Sequence, residues 1–271
     1  MQVQTYQRRL EQHLSRYRRN RLGIAQSGTF KYRGHEKSYG HILPRELRWL
    51  NVPEPFRLEV RDYVSRERHI HLHKYFHHLN SSQAFALNLF FPYFAHARPR
   101  LAGALGAASI DRWSFEVVPD SNEGTNVDVF WTGKDGAATF CEVKLSEASF
   151  GKARNDKRHH DKLSSLYRPR LAGLVAPSLL EPKEFFDAYQ ILRNLWLGAG
   201  NSRSIVIFLL PEDNKLLCAE LNKVLALISP QLRARTYVVH IEVLLSKLAS
   251  PTFMNGELGW YAALLREKYL P

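Results

Sequence analysis

Residues 126–145 read NVDVFWTGKDGAATFCEVKL, and the way this stretch folds decides the reading of the rest. Two runs rich in β-branched and aromatic residues, 126–132 and 138–145, flank a glycine-containing segment, the pattern of a β-hairpin. Side chains at i and i+2 of a strand share a face, so Glu142 and Lys144 point together while Cys141, Val143 and Leu145 point the other way. Register decides whether Asp128 joins them. A hairpin centred on Asp135 makes opposed residue numbers sum to 270 and sets Asp128 opposite Glu142. A two-residue turn at Lys134-Asp135 pairs Asp128 with Cys141 instead and turns the acid to the wrong face. The five-residue loop Gly133–Ala137 is the one that a joint site requires.

Outward from the hairpin, FEVVP at 115–119 reads as a preceding strand. Upstream of it, a helical pattern runs from about Ser65 to Phe94, with Leu72, Phe76 and Leu79 at i, i+4 and i+7. Asn80-Ser81-Ser82 supplies a stop and a fresh N-cap for QAFALNLFF, and Pro92 marks the end of that second helix or a point close to it. Downstream, KEFFDAYQILRNLWLG at 183–198 places Phe185, Tyr189, Leu192 and Trp196 on one helical stripe. SIVIFLLP at 204–211 reads as a buried strand, followed by a helix at 216–229, a strand at 236–245 and a helix at 257–268. NVPEPF at 51–56 reads as a connection, and residues 1–50 as a basic region broken by Gly23, Gly28, Gly34 and Gly40 after a first helix. Strands in a run, then strands alternating with helices, imply an α/β fold with a mixed central sheet flanked by helices. The expected division is a basic region at 1–64 packing on or extending a main domain at 65–271.

A hydrophobic fraction of 45% over 271 residues supports a sizeable core and excludes wholesale disorder. Two cysteines, Cys141 and Cys218, make no disulfide framework, and Cys141 reads as a core thiol. MQVQTYQRRLEQHLSRYRRNRLG at the start has no leader-like apolar run, and no later run reaches the ~20 apolar residues of a membrane span. A cytoplasmic protein without a membrane partner is expected. Charge is the stronger signal: 38 Lys+Arg against 26 Asp+Glu leave +12. Residues 1–50 hold eleven of those bases, Arg33 among them, against Glu11, Glu36 and Glu46. A second basic stretch runs from Lys144 to Arg170. Basic segments interleaved with tyrosines suit a polyanion, because each neutralised phosphate releases counterions. Arg18, Arg19, Arg21, Lys152, Arg154, Lys157 and Arg158 are the expected nucleic-acid contacts, with His159-His160 beside them.

Two carboxylates at a cross-strand spacing of ~5 Å repel unless a cation lies between them. Hard oxygen ligands suit Mg²⁺ or Mn²⁺. Lys144 then has two readings: orienting or deprotonating the attacking water, or stabilising transition-state charge. Without the cation, the pattern is an exposed cross-strand salt bridge of little energetic worth.

The order of these elements, with Asp128 and then Glu142-Val143-Lys144, resembles the PD-(D/E)XK nuclease superfamily, whose restriction-endonuclease-like core runs αβββαβ. A narrower likeness is to a family of mostly uncharacterised bacterial proteins in that superfamily. It rests on Tyr39-Gly40-His41-Ile42-Leu43-Pro44, Ser81-Ser82-Gln83-Ala84 with Asn88-Leu89-Phe90, Phe115-Glu116, Thr125-Asn126-Val127-Asp128, Glu142-Val143-Lys144, and Tyr189-Gln190 with Arg193-Asn194. The resemblance covers about residues 30–210. It implies Mg²⁺- or Mn²⁺-dependent hydrolysis of a phosphodiester, in DNA rather than RNA. Asp128, Glu142 and the Val143 carbonyl become metal ligands, and Lys144 lies beside the attacking water. Glu116 becomes an additional carboxylate at or behind the metal. Gln190 becomes a group orienting Lys144 or water, and Arg193 a nucleic-acid contact or part of a solvated helix face.

Two departures stand out. Pro119-Asp120 makes Asp120 a rival first acid, although Ser121-Asn122-Glu123-Gly124 after it has turn composition. The helix at 82–94 holds no acid, with Gln83 its nearest polar candidate. His69, His73 and His77 would share a helical stripe, but nothing on it completes a zinc site, so a solvated or phosphate-facing stripe is expected. Ser81-Ser82 is explained by capping, and no Walker loop or Rossmann fingerprint occurs. The rival of another class is a nucleic-acid-binding protein that keeps the fold and no longer cuts. Pairing of two subunits into a homodimer, to cut two strands, is left open.

Overall fold

The computed structural model describes residues 5–32, 34–251 and 258–271. Arg33 lies outside the described residues. The chain forms two compact units, residues 1–108 with 241–271, and residues 109–240.

The first unit opens with α1 (Tyr6–Asn20), capped by Thr5, the antiparallel pair β1 (Thr29–Tyr32) and β2 (His35–Ser38), then α2 (Glu54–Arg66), α3 (Ser82–His96) and α4 (Arg98–Leu105). The second holds β3 (Trp113–Val117), β4 (Val127–Thr132), β5 (Ala138–Val143), α5 (Lys157–Lys162), a π-helical turn at Leu163–Tyr167, α6 (Arg168–Leu171), α7 (Pro182–Asp187) and α8 (Tyr189–Ala199). It ends with β6 (Ile205–Leu210), α9 (Lys215–Leu225), α10 (Pro230–Arg233) and β7 (Thr236–His240). The chain then returns to the first unit as α11 (Ile241–Ala249) and α12 (Gly259–Tyr269).

That return places the division elsewhere than at the expected 64/65. Arg100 on α4 donates from Nε to the Leu248 carbonyl at 2.9 Å and from Nη2 to that of Ser250 at 2.8 Å. Asn88 on α3 donates to the Tyr269 hydroxyl at 2.6 Å. Buried polar groups need such partners, so α11 and α12 satisfy groups that α3 and α4 would otherwise leave unmet. α3 is apolar on every side and buried from Ala84 to Phe94, as a helix hydrophobic all round must be. Ser81 caps it as expected, its Oγ accepting the Ala84 N–H at 3.3 Å, and Pro92 lies within it rather than at its end.

Four local expectations are corrected. NVPEPF is no connection: Pro53 is the N-cap of α2 and Pro55 its second residue, where a missing N–H costs nothing. Residues 67–81 form turns rather than a helix, so His69, His73 and His77 share no stripe. The strand expected to reach 245 stops at His240 and continues as α11. The long helix at 183–198 is divided at Ala188 into α7 and α8.

The second unit is built on a five-stranded mixed sheet in the order β3-β4-β5-β6-β7, antiparallel through β5 and parallel beyond it. Phe140, Val206 and Phe208 share one core with Ile191, Leu195 and Trp196 of α8. Gly198 allows the close approach, since a Cβ there would lie 2.4 Å from Val206 Cγ2. Among the described residues no helix is long and apolar enough to cross a membrane.

Candidate active site

The β4–β5 hairpin takes the register with a sum of 270: Val129 pairs with Cys141, Phe130 with Phe140, Trp131 with Thr139 and Thr132 with Ala138. The connection is Gly133–Ala137, closed by Gly133 N–H to the Ala137 carbonyl at 2.9 Å, with Gly136 at φ +78°. Continued by one residue, the ladder sets Asp128 opposite Glu142, and Asp128 Oδ2 accepts the Val143 N–H at 2.8 Å. On the other side, Phe115 pairs with Val129 and Val117 with Val127. Glu116 therefore stands opposite Asp128, and three acids occupy one row across three strands. Glu116 has φ +52°, a backbone that costs a side-chain-bearing residue ~1–2 kcal/mol. Its carboxylate accepts from Asn126 Nδ2 at 3.1 Å.

Glu142 is 1% exposed. Its Oε2 accepts from Arg193 Nη2 at 2.7 Å and Asn194 Nδ2 at 2.9 Å. Its Oε1 lies 3.0 Å from Lys144 Nζ as an ion pair, yet accepts no hydrogen bond of ordinary geometry. Arg193 Nε and Asn194 Oδ1 are also buried without hydrogen-bond partners. Buried polar atoms left unmet cost ~1–3 kcal/mol each, and here they gather around one carboxylate.

The charges divide the acids. Burial and then the Glu142 charge push the Asp128 carboxyl well above its ordinary range, against the pull of Lys144. Burial also acts to raise Glu142, but Lys144 and Arg193 overcome it and hold that carboxyl below its ordinary value. Burial works against the Lys144 ammonium, and Glu142, Glu147 and Asp128 outweigh it, so the pKa is raised. The site thus holds one firmly ionised acid, one reluctant acid and a firmly charged amine.

The remaining expected residues separate into those brought here and those employed elsewhere. Gln190 makes no bond to Lys144: its Oε1 accepts the Gly151 N–H at 2.7 Å. Arg193 is neither solvated nor free for phosphate, being 6% exposed and bound to Glu142. Arg18 is likewise corrected: its guanidinium is buried on the carbonyls of Gly40 at 2.7 Å, Ala25 at 2.8 Å and Gln26 at 2.7 Å. Arg21 is exposed but paired with Glu267 at 2.6 Å, and Lys152 with Asp187 at 2.6 Å. Arg19, Arg154, Lys157 and Arg158 are exposed. Asp120 folds into its own turn, Oδ1 accepting the Asn122 and Glu123 N–H groups. Gln83 holds the backbone of His71 and His73.

Sequence reasoning gave no role to Asn194 or Glu123. The signal for the first was an Arg-Asn pair in an otherwise apolar helix. Glu123, 2% exposed, accepts on Oε1 from Tyr189 at 2.6 Å, Tyr167 at 2.9 Å and Lys162 at 3.2 Å, and on Oε2 from the Thr125 N–H at 2.9 Å. Nothing in its turn-like surroundings announced burial.

Among the described residues no cluster of three or more His, Cys, Asp or Glu side chains forms a ready-made metal cage. The donors at hand are the Asp128 and Glu142 carboxylates and the Val143 carbonyl. Mg²⁺ keeps several waters and binds through one or two carboxylates, so this set, with an unmet Glu142 oxygen, fits such an ion. A family model described as Restriction Endonuclease associating with ARP matches residues 11–270. No curated protein and no solved structure matches the chain.

Proposed function

The chain belongs to that restriction-endonuclease family, whose function is nuclease-related, and on this premise we propose that it is a metal-dependent nuclease of PD-(D/E)XK type, acting on DNA. The observation that carries the reading is Asp128 opposite Glu142 with Lys144 ion-paired beside them. The chain order β3, β4, β5, α8, β6 supports the restriction-endonuclease-like core.

Asp128, Glu142 and the Val143 carbonyl would hold one Mg²⁺ or Mn²⁺. When bound, the ion would supply charge neutralisation at the scissile phosphate and at the attacking oxygen. Glu142 is kept ionised by Lys144 and Arg193, so it is ready to ligate. Asp128 is the acid that an added cation relieves, because its charge is opposed by burial and by its neighbour. Lys144 acts as a fixed cation and hydrogen-bond donor: its raised pKa suits stabilisation of phosphate charge and positioning of water, and opposes a role as base. Asn194 and Arg193 hold Glu142 in place. Glu116 serves as a flanking carboxylate rather than a ligand. Arg19, Arg154, Lys157 and Arg158 are the expected contacts that stay exposed, and they would meet the phosphate backbone, positioning substrate without specifying sequence.

The test is purified protein with plasmid, linear DNA and RNA, in Mg²⁺ or Mn²⁺ and in EDTA, beside Lys144→Ala. Metal-dependent cleavage of DNA that the variant loses is the expected result. Equal cleavage by both proteins would sink the assignment. One observation favours the rival, a binding protein that no longer cuts: Arg193 and Lys144 already neutralise both Glu142 oxygens. Salt-sensitive DNA binding without cleavage in either metal would establish it.

A further inference from the structure

Tyr39-Gly40-His41-Ile42, among the distinctive words of the sequence, takes no part in the chemistry at β5. In the first unit Tyr39, His41 and Ile42 line a pocket of about 360 Å³, a volume suited to a small ligand. Its walls include Phe30, Tyr39, His41, Tyr75 and His78, with Glu11 of α1 among them. The rings are ordered against one another. Tyr75 and His78 stack with centroids 4.9 Å apart. Phe30 stands edge-on to both, at 5.1 and 5.7 Å. His41 lies 6.3 Å from His78 and 6.0 Å from Tyr39.

The backbone builds this arrangement deliberately. Gly28 N–H bonds the Ile42 carbonyl at 2.8 Å, Leu43 N–H the His77 carbonyl at 3.1 Å, and Leu79 N–H the His41 carbonyl at 3.0 Å. Arg18, buried, ties Gly40 to the 25–26 turn. Gly40 has no alternative, since a Cβ there would lie 2.5 Å from Ser15 Oγ.

The chemistry of the walls selects the ligand. Burial, then the neighbouring histidines, pushes His78 down to about 3, and burial lowers His41, so at neutral pH both are uncharged. Glu11 contributes a carboxylate to the wall, and Lys74 Nζ lies over the Tyr75 ring, 4.7 Å from its centroid. His78 Nε2 is buried without a hydrogen-bond partner. Flat aromatic faces plus a neutral imidazole edge and a carboxylate match a planar heterocycle that carries both N–H donors and ring-nitrogen acceptors. We propose that this pocket binds a nucleobase, stacked on its aromatic walls with its edge read by His78 and Glu11. An unpaired nucleotide of a chain and a free nucleoside present the same ring, and the test separates them. The proposal shares only its ligand class with the nuclease reading, and its readout is binding in EDTA, so loss of either leaves the other standing.

The experiment compares a short dye-labelled single strand with an abasic strand of equal length by fluorescence anisotropy, and the four deoxynucleosides by saturation-transfer NMR. The wild type is expected to bind the base-bearing strand about tenfold more tightly, and Tyr75→Leu to reduce that preference below about twofold, with an unchanged melting temperature. His78→Gln, which removes the imidazole at similar size, is expected to weaken it and stands in if Tyr75→Leu fails to fold. Saturation transfer to nucleosides with indifference between strands assigns the free nucleoside as ligand. Equal binding of both strands with no transfer to any nucleoside overturns the proposal, as does full preference retained in the folded variants.

Discussion

Two buried glutamates of the second unit show what separates a structural node from a reactive one. Glu123 and Glu142 are similarly inaccessible, at 2% and 1%, and each faces a lysine. Glu123 accepts from two tyrosines, Lys162 and Thr125, and the burial and hydrogen bonds it shares push Tyr189 up to about 12. Its charge is matched and its acceptors are filled. Glu142 has cations on both oxygens, yet Oε1, Arg193 Nε and Asn194 Oδ1 remain unmet, and a second acid stands opposite. The charge of that second acid works against folding, since burial and Glu142 both oppose it. A closed network is what stability selects, and an open one with a surplus carboxylate is what chemistry at a metal requires.

The largest expected effect is on turnover. Lys144→Ala should cut metal-dependent cleavage by about 10²–10³-fold, while Glu123→Gln, measured below its own melting transition, should stay within about tenfold of wild type. An equal loss in both would erase the distinction. Next comes stability. Glu123→Ala and Glu142→Ala each leave buried cations uncompensated and should cost about 3–5 kcal/mol in urea unfolding.

Asp128→Asn should behave oppositely. It keeps an oxygen for the Val143 N–H and removes a charge that burial and Glu142 oppose, so in EDTA at pH 7 it should stabilise by about 0.5–2 kcal/mol while abolishing cleavage. The sign follows from the raised folded pKa. Below the ordinary value of 3.8 both states are protonated and the variant has no advantage. As pH climbs, the unfolded carboxyl ionises freely and the folded one resists, so the wild type loses stability. The gap between variant and wild type should therefore widen from acid to neutral pH in thermal melts. The smallest effect is Tyr167→Phe, which removes one of several bonds to Glu123 and should cost about 1 kcal/mol.

The hairpin was legible because alternation and a five-residue loop leave one register that buries Val127, Val129, Trp131 and Cys141 together. Sequence alone placed Glu142 and Lys144 on one face; Asp128 joined them only in the five-residue-loop register, which is the one the hairpin adopts. α2 was not legible, because Pro53 and Pro55 were read as breakers where they occupy helix-starting positions. Phe76 and Leu79 are buried as their apolar character demands, but by turns that happen to share a helical spacing. Arg193 was misread because its face is offset from the apolar stripe of α8, and offset was taken for solvent. In fact α8 is buried on nearly every side, and a charged residue there needs a buried partner. Arg18 shows the same limit from the other direction: a run of arginines reads as one electrostatic surface, while a single member is withdrawn to gather carbonyls.

The most direct measurement is titration of Mn²⁺ by electron paramagnetic resonance into wild type, Asp128→Asn and Glu123→Gln. Wild type and Glu123→Gln are expected to take up the ion alike and Asp128→Asn to lose it. A folded wild-type protein that takes up no Mn²⁺, or an Asp128→Asn variant that binds as well as wild type, would contradict it.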